Sequence, residues 1–282
     1  MLSYRHAFHA GNHADVLKHA ALSLLIANFR QKDKPFIYLD THSGAGLYAL
    51  QGEWAQKTGE YKNGIERLWQ NQQKWPELKD YFQVLATHNP NGTLQHYTGS
   101  PELARSLLRE QDKVVLMELH SSEVENLKNN LGFDKRVTIH QRNGLEGLIA
   151  LLPPTPRRGL VLLDPAYEQV DEYKQVPDAL EKALHRWSTG TYMVWYPLLA
   201  KGRDQSIPLL RRLQALACKN LLIAELAVES QQLEFGMHGS GVAIINAPWQ
   251  FDEPLKALLP KLCEALKVND YATWKLEWRI KD

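Results

Sequence analysis

Between residues 14 and 29 the apolar positions Val16, Leu17, Ala20, Leu24 and Ala27 recur at three- and four-residue steps, which predicts an amphipathic helix. A short buried strand follows at Phe36-Ile37-Tyr38-Leu39. Further compact apolar runs lie at Val114-Val115-Leu116-Met117, Val137-Thr138-Ile139 and residues 160–163, 192–195, 221–226 and 242–245. Each has the length of a strand, and helical stretches separate most of them. This alternation predicts an α/β fold in which seven strands form a mostly parallel, doubly wound, Rossmann-like sheet. The pattern breaks between residues 50 and 96, which are polar and rich in Gln, Trp and Tyr, with helical pieces around residues 64–73 and 77–87. We read that stretch as a small helical insertion. The sheet domain then comprises residues 1–49, including an N-terminal arm, and 97–282. Ser100-Pro101-Glu102 opens a helix, with the serine expected as its cap and the proline in its first turn.

Composition narrows the function classes. A chain of 282 residues with 44% hydrophobic and 23% charged positions suits a globular protein with a full core. Its net charge of +1 gives no global electrostatic case for nucleic acid, so such a partner requires a local basic patch. Arg5, Arg157, Arg158, Arg203, Arg211 and Arg212 are candidates for a phosphate-binding rim, although Arg157 and Arg158 precede a strand and so fit its opposite end. Cys218 and Cys263 are far apart and form no metal spacing, as expected in a reducing cytoplasm. Arg5, His6 and His9 near the N-terminus, without an apolar stretch, predict no signal peptide. No run approaches the length needed to span a bilayer.

The candidate chemistry sits where strands end. Asp164-Pro165-Ala166-Tyr167 closes the apolar run of residues 159–163, and such strand tips line the ligand crevice of open α/β sheets. A carboxylate, a carbonyl held out by proline and an aromatic ring suit alkylation of an exocyclic amine on a flat base. The amine's lone pair is delocalised into the ring. Acceptors on both N–H groups localise it, and stacking fixes the line of attack. The first strand ends in Asp40-Thr41-His42-Ser43-Gly44-Ala45-Gly46, whose glycines let backbone pass close to a nucleoside. Glu118 ends the next strand, where a carboxylate accepts ribose hydroxyls. Asn143-Gly144 ends the third, and its amide suits an adenine edge. Four successive tips of this kind point to S-adenosylmethionine rather than a nicotinamide.

Long stretches carry a resemblance to a family. These are residues 4–19, beginning Tyr4-Arg5-His6-Ala7-Phe8-His9, then Leu39-Asp40-Thr41-His42, Tyr97-Thr98-Gly99-Ser100-Pro101 and Trp195-Tyr196-Pro197. The chain closely resembles the RlmJ family of bacterial 23S ribosomal RNA adenine-N6 methyltransferases. That resemblance implies a class I methyltransferase sheet with a helical insertion. It also implies Asp164 as the catalytic residue, His19, His42, Ser100, Glu118 and Gly144 as cofactor contacts, and Tyr4 as a contact to substrate RNA. Two positions depart from the family pattern. Asn143 stands where an aspartate is usual, and Ala166 where a second proline is usual; neither removes a group the chemistry requires.

The expected mechanism follows. Asp164 and the Pro165 carbonyl accept the two amine hydrogens, and Tyr167 stacks on the adenine. Lys18 and His19 approach the methionine carboxylate, with Asn143 also at the cofactor. His6, His9, His13 and His19 with Asp15 suggest a metal cluster, but the chemistry needs no metal and none is expected. A DNA adenine methyltransferase and a non-catalytic nucleic-acid-binding protein used with external DNA are the alternative readings.

Overall fold

The computed structural model describes residues 5–232 and 234–281. Helix α1 (His13–Arg30) starts where Asn12 accepts the backbone N–H groups of Ala14 and Asp15 at 3.0 and 2.9 Å. It departs from the amphipathic expectation, because 13 of its 18 residues are buried. Its polar residues Asp15, Lys18 and His19 turn inward to the candidate site instead of outward to water.

Strand β1 (Ile37–Asp40) follows, then β2 (Leu47–Ala49). The next stretch carries α2 (Glu53–Thr58), α3 (Ile65–Trp69) and α4 (Lys79–Thr87), and β3 (His96–Thr98) returns to pair antiparallel with β2. Its Tyr61, Ile65, Leu68 and Tyr81 join the same buried cluster as Leu17 and Leu25 of α1. We therefore treat residues 50–96 as an inserted unit that shares the main core.

The remainder alternates: α5 (Ser100–Leu107), β4 (Lys113–Glu118), α6 (Ser121–Leu131), β5 (Val137–Gln141), α7 (Gly144–Leu151), β6 (Gly159–Leu163) and α8 (Glu172–Arg186). It continues through β7 (Thr191–Leu199), α9 (Ser206–Gln214), β8 (Leu221–Ala227), β9 (Met237–Ile245), α10 (Asp252–Leu266) and β10 (Thr273–Ile280). The cap of α5 differs from expectation. Gly99 is the cap residue, and Ser100 lies in the first turn with its hydroxyl donated to Asp40 Oδ2 at 2.7 Å.

The main sheet runs β10-β8-β9-β7-β6-β1-β4-β5. Strands β5, β4, β1, β6 and β7 are parallel, whereas β9, β8 and β10 join by antiparallel pairings. Eight strands replace the seven expected. The unforeseen one, β10, alternates Trp274, Leu276 and Trp278 with Lys275, Glu277 and Arg279, and as a half-buried edge strand it has no continuous apolar run. In the parallel core, Leu160 and Leu162 face one buried cluster while Val161 and Leu163 face the other, as the two-residue strand period requires. The chain steps from β1 outward to β4 and β5, then crosses back to β6 on the other side of β1. That reversal opens a crevice at the carboxyl ends of β1 and β6.

Candidate active site

The strand ends open onto a cavity of about 470 Å³, a size suited to a nucleoside cofactor. Lys18, His19, His42, Ser100, Glu118, Asn143, Gly144, Asp164, Pro165 and Tyr167 all line it, so the structure brings together every sequence-predicted site residue except Tyr4, which lies outside the described residues.

Two glycines make the crevice passable. Gly44 has φ +58°, and its N–H donates to Glu118 Oε2 at 2.8 Å. At Gly144 a Cβ would run into the Thr41 carbonyl, so only glycine lets α7 begin this close to the β1 loop. Glu118 also accepts the His120 N–H on Oε1 at 2.8 Å. Both carboxylate oxygens are thus fixed by backbone donors and keep lone pairs for a further partner. The Asn143 carbonyl oxygen caps α7 by accepting from Leu145 N and Glu146 N, and its NH₂ group has no hydrogen-bond partner among the described residues.

Asp40, which heads the loop expected to pass close to a nucleoside, organises the floor of the crevice. It is fully buried and receives hydroxyls from Tyr38 at 2.6 Å and Ser100 at 2.7 Å. Burial pushes its carboxyl up to about 6, against the pull of those two donors. His42 sits on the same loop, its Nδ1 2.7 Å from Thr41 Oγ1, and burial lowers its pKa to about 4.

On α1, Asp15, Lys18 and His19 share one stripe. Lys18 Nζ reaches Asp164 Oδ2 at 2.6 Å and Asp15 Oδ1 at 2.8 Å. Asp15 Oδ2 also meets His6 Nε2 and the Gly11 N–H, both at 2.9 Å. A row of groups, His6–Asp15–Lys18–Asp164, therefore runs from the arm to the tip of β6. Burial disfavours the charge on Asp15, but His6, Lys18 and His19 outweigh it and hold the carboxyl well below the usual range. Burial likewise works against the Lys18 ammonium, and Asp15 and Asp164 overcome it, so the lysine stays charged. For Asp164 burial wins: its pKa is raised although Lys18 opposes the rise.

Tyr167 occupies the left-handed region at φ 52°, and its ring packs against Tyr173 at 4.4 Å and Trp195 at 6.2 Å between centroids. Its hydroxyl has no hydrogen-bond partner among the described residues. The ring is part of an aromatic wall rather than a freestanding platform. Next to this site the arm docks on the insertion: Arg5 lies 5.0 Å above the Trp54 ring, and Phe8 meets Trp54 edge-on at 4.8 Å.

The histidines separate by environment. His9 pairs with Glu60 at 2.9 Å, and His13 is half-buried, its pKa lowered to about 4 by desolvation. Among the described residues no cluster of three His, Cys, Asp or Glu side chains is placed to hold a metal. Of the proposed phosphate-binding residues, Arg158 lies at the other end of the sheet, where it bonds the Lys34 carbonyl and covers Phe29. Arg212 pairs with Asp178 at 2.6 Å. Sequence reading named Asp40 only as the head of the first strand-tip loop and Asp15 only beside the histidines, and it gave neither its role here; the usable signal was an acidic residue where the surrounding pattern is core.

The donor set fits S-adenosylmethionine. Glu118 presents acceptors, Asn143 presents a donor, and His19 Nε2 is a buried polar atom beside the cavity without a hydrogen-bond partner among the described residues. A family model described as ribosomal RNA large subunit methyltransferase D, RlmJ, matches residues 33–280. A Haemophilus influenzae protein named ribosomal RNA large subunit methyltransferase J is 44% identical over 279 residues, 99% of each chain. An Escherichia coli protein of the same name is 45% identical over 262 residues, 93% of each. A solved Legionella pneumophila structure, 38% identical, superposes with TM-score 0.88 over 95% of this chain and 98% of that one. The chain therefore belongs to the RlmJ family, with a class I methyltransferase fold and S-adenosylmethionine as its cofactor.

Proposed function

We propose that this protein methylates N6 of an adenine in 23S ribosomal RNA. The observation that carries the reading is Asp164 at the tip of β6, one carboxylate oxygen held by Lys18, lining the cavity together with Pro165. The relatives' names, which specify large-subunit ribosomal RNA, support the substrate class.

S-adenosylmethionine supplies an electrophilic methyl group. Glu118 accepts its ribose hydroxyls, Asn143 donates to its adenine, and His19, His42, Ser100 and Gly144 bound the remainder. The target adenine enters unpaired or flipped. It meets the wall of Tyr167 and Trp195. Asp164 accepts one N6 hydrogen and the Pro165 carbonyl the other, which localises the nitrogen lone pair. As the new N–C bond forms and the bond from the methyl carbon to the donor's sulfur breaks, leaving a neutral thioether, positive charge grows on N6 and the carboxylate stabilises it. The N6 proton then passes to Asp164, which burial makes a stronger base than a free aspartate. Tyr4 contacts the RNA, and the reaction belongs to the cytoplasm, where ribosomes are assembled.

The test is methyl transfer to protein-free 23S rRNA, assembled large subunits and duplex DNA in parallel, with the product nucleoside identified. N6-methyladenosine from rRNA is expected, with protein-free rRNA the better substrate. Transfer to DNA alone would replace the reading with a DNA methyltransferase. No transfer and no cofactor binding would leave a non-catalytic nucleic-acid-binding protein.

A further inference from the structure

We propose that Tyr97, backed by Tyr81 of the insertion, fixes the tautomer of His19 so that its Nε2–H donates to the carboxylate of the cofactor's methionine end. The inference rests on the proposed cofactor-facing role of His19.

Three buried groups form a chain. Tyr81 Oη lies 2.9 Å from Tyr97 Oη, and Tyr97 Oη lies 2.6 Å from His19 Nδ1. Both tyrosines are fully buried, and the His19 ring packs against both. Burial keeps both phenols protonated and lowers the His19 pKa to about 3, so the imidazole is neutral and carries one proton. The remaining question is which nitrogen holds it.

The place of the unsatisfied hydrogen decides. Tyr81 has no other hydrogen-bond partner among the described residues. If Tyr81 donates to Tyr97 and Tyr97 donates to His19 Nδ1, both hydroxyl hydrogens are satisfied and the imidazole proton sits on Nε2. If His19 Nδ1–H donates to Tyr97 instead, one of the two tyrosine hydrogens is left buried without an acceptor. The first arrangement also leaves one hydrogen without a protein acceptor, but it is the Nε2–H of a cavity-lining residue, where a ligand can meet it, whereas the second strands a hydroxyl hydrogen in the core, where nothing can. The first arrangement wins, and donation by Tyr81 polarises Tyr97 into a better donor.

Nε2 is then an N–H on a residue that lines the cavity, buried and without a protein partner among the described residues. An anion is the partner that a desolvated N–H binds best, because the bond is charge-assisted. Lys18, the neighbouring cation, already holds Asp15 and Asp164, so the carboxylate falls to His19. The insertion thereby reaches the cofactor without touching it.

Two measurements test this. Nitrogen NMR of histidine-labelled protein without cofactor should show His19 protonated on Nε2 and bare on Nδ1. Tyr97→Phe should abolish that preference, whereas Tyr81→Phe should keep it. Calorimetry should then show Tyr97→Phe weakening S-adenosylmethionine by about twofold, the cost of selecting one of two equally populated tautomers. Its affinity for decarboxylated S-adenosylmethionine should be unchanged. A proton on Nδ1 in the unmodified protein would overturn the proposal, as would equal weakening of both cofactors. If the tautomer is as stated but neither cofactor binds the unmodified protein, it is the cofactor-facing role of His19 that fails.

Discussion

Replacing Lys18 by methionine tests the charge row at its centre. The ammonium lies between two carboxylates, and the three side chains are only 5%, 2% and 12% exposed for Lys18, Asp15 and Asp164. Methionine keeps much of the volume and removes the charge. Asp15 retains His6 and the Gly11 N–H, whereas Asp164 loses the one partner its side chain has among the described residues. Removing one partner of a buried pair costs about 3–5 kcal/mol, and for a chain of this length that is roughly 5–10 °C in Tm. The dependence on pH has a definite sign. Asp15 has a depressed pKa, so its stabilisation is present above the unfolded value of about 4 and is lost as pH falls further. The difference between wild type and Lys18→Met should therefore be largest near neutrality and shrink on acidification. Burial, no longer opposed by Lys18, should raise the Asp164 pKa further, and the acid limb of the single-turnover rate should move to higher pH. Adding Asp164→Asn should restore part of the lost stability, because the uncompensated charge disappears. Thermal denaturation across pH, with single-turnover methyl transfer, measures all three. A loss below about 1 kcal/mol with an unmoved pH profile would show that Lys18 does not neutralise Asp164.

Asp164→Asn alone should keep the fold and lower turnover by about a hundredfold or more, because the amide accepts a hydrogen bond without charge or basicity; a rate equal to wild type in single-turnover kinetics would refute the mechanism. Glu118→Ala should weaken cofactor binding by about 1.5–3 kcal/mol in calorimetry while the saturated rate falls less, and an unchanged dissociation constant would remove Glu118 from the cofactor site. Asp40, raised to about 6 by burial, stabilises the fold below its unfolded value of about 4 and loses that contribution, about 3 kcal/mol, as pH rises through 6. The stability gap between wild type and Asp40→Asn should narrow over that range in pH-dependent denaturation, and a constant gap would contradict the shift. Trp54→Ala removes the face on which Arg5 and Phe8 rest, so methyl transfer to RNA should fall several-fold with Tm nearly unchanged, and equal rates would make the docking incidental.

Strands β1, β6 and β7 were legible because they are apolar runs buried on both faces. β10 was not, since an edge strand with one wet face dilutes that signal with charge. The strand tips were legible for a related reason: Glu118 and Asp164 are carboxylates that end apolar runs, and only a ligand crevice makes that placement economical. The buried side of the site was harder to read. Asp15, Lys18 and His19 are polar residues inside a helical pattern, and sequence alone does not say whether such a stripe faces water or a cavity. Tyr81 and Tyr97 are separated from His19 by 62 and 78 residues, a pairing that only the folded insertion brings about.

The insertion and the arm act on opposite ends of one problem. A polar ligand placed at a strand tip must be met by groups that are already desolvated and already oriented, or binding has to supply the ordering. On one side the insertion's Tyr81 and its return strand β3 hold His19. On the other its α2 face receives Arg5 and Phe8, next to His6, which bonds Asp15 and so connects to Lys18 and Asp164. A bare doubly wound sheet supplies the tips but nothing that reaches over them. The added helices supply that cover, and they do so from within the main core, because Tyr61, Ile65 and Leu68 pack with α1 rather than standing apart. Loosening the insertion should therefore weaken both sides of the site, even where no residue of the insertion contacts cofactor or RNA.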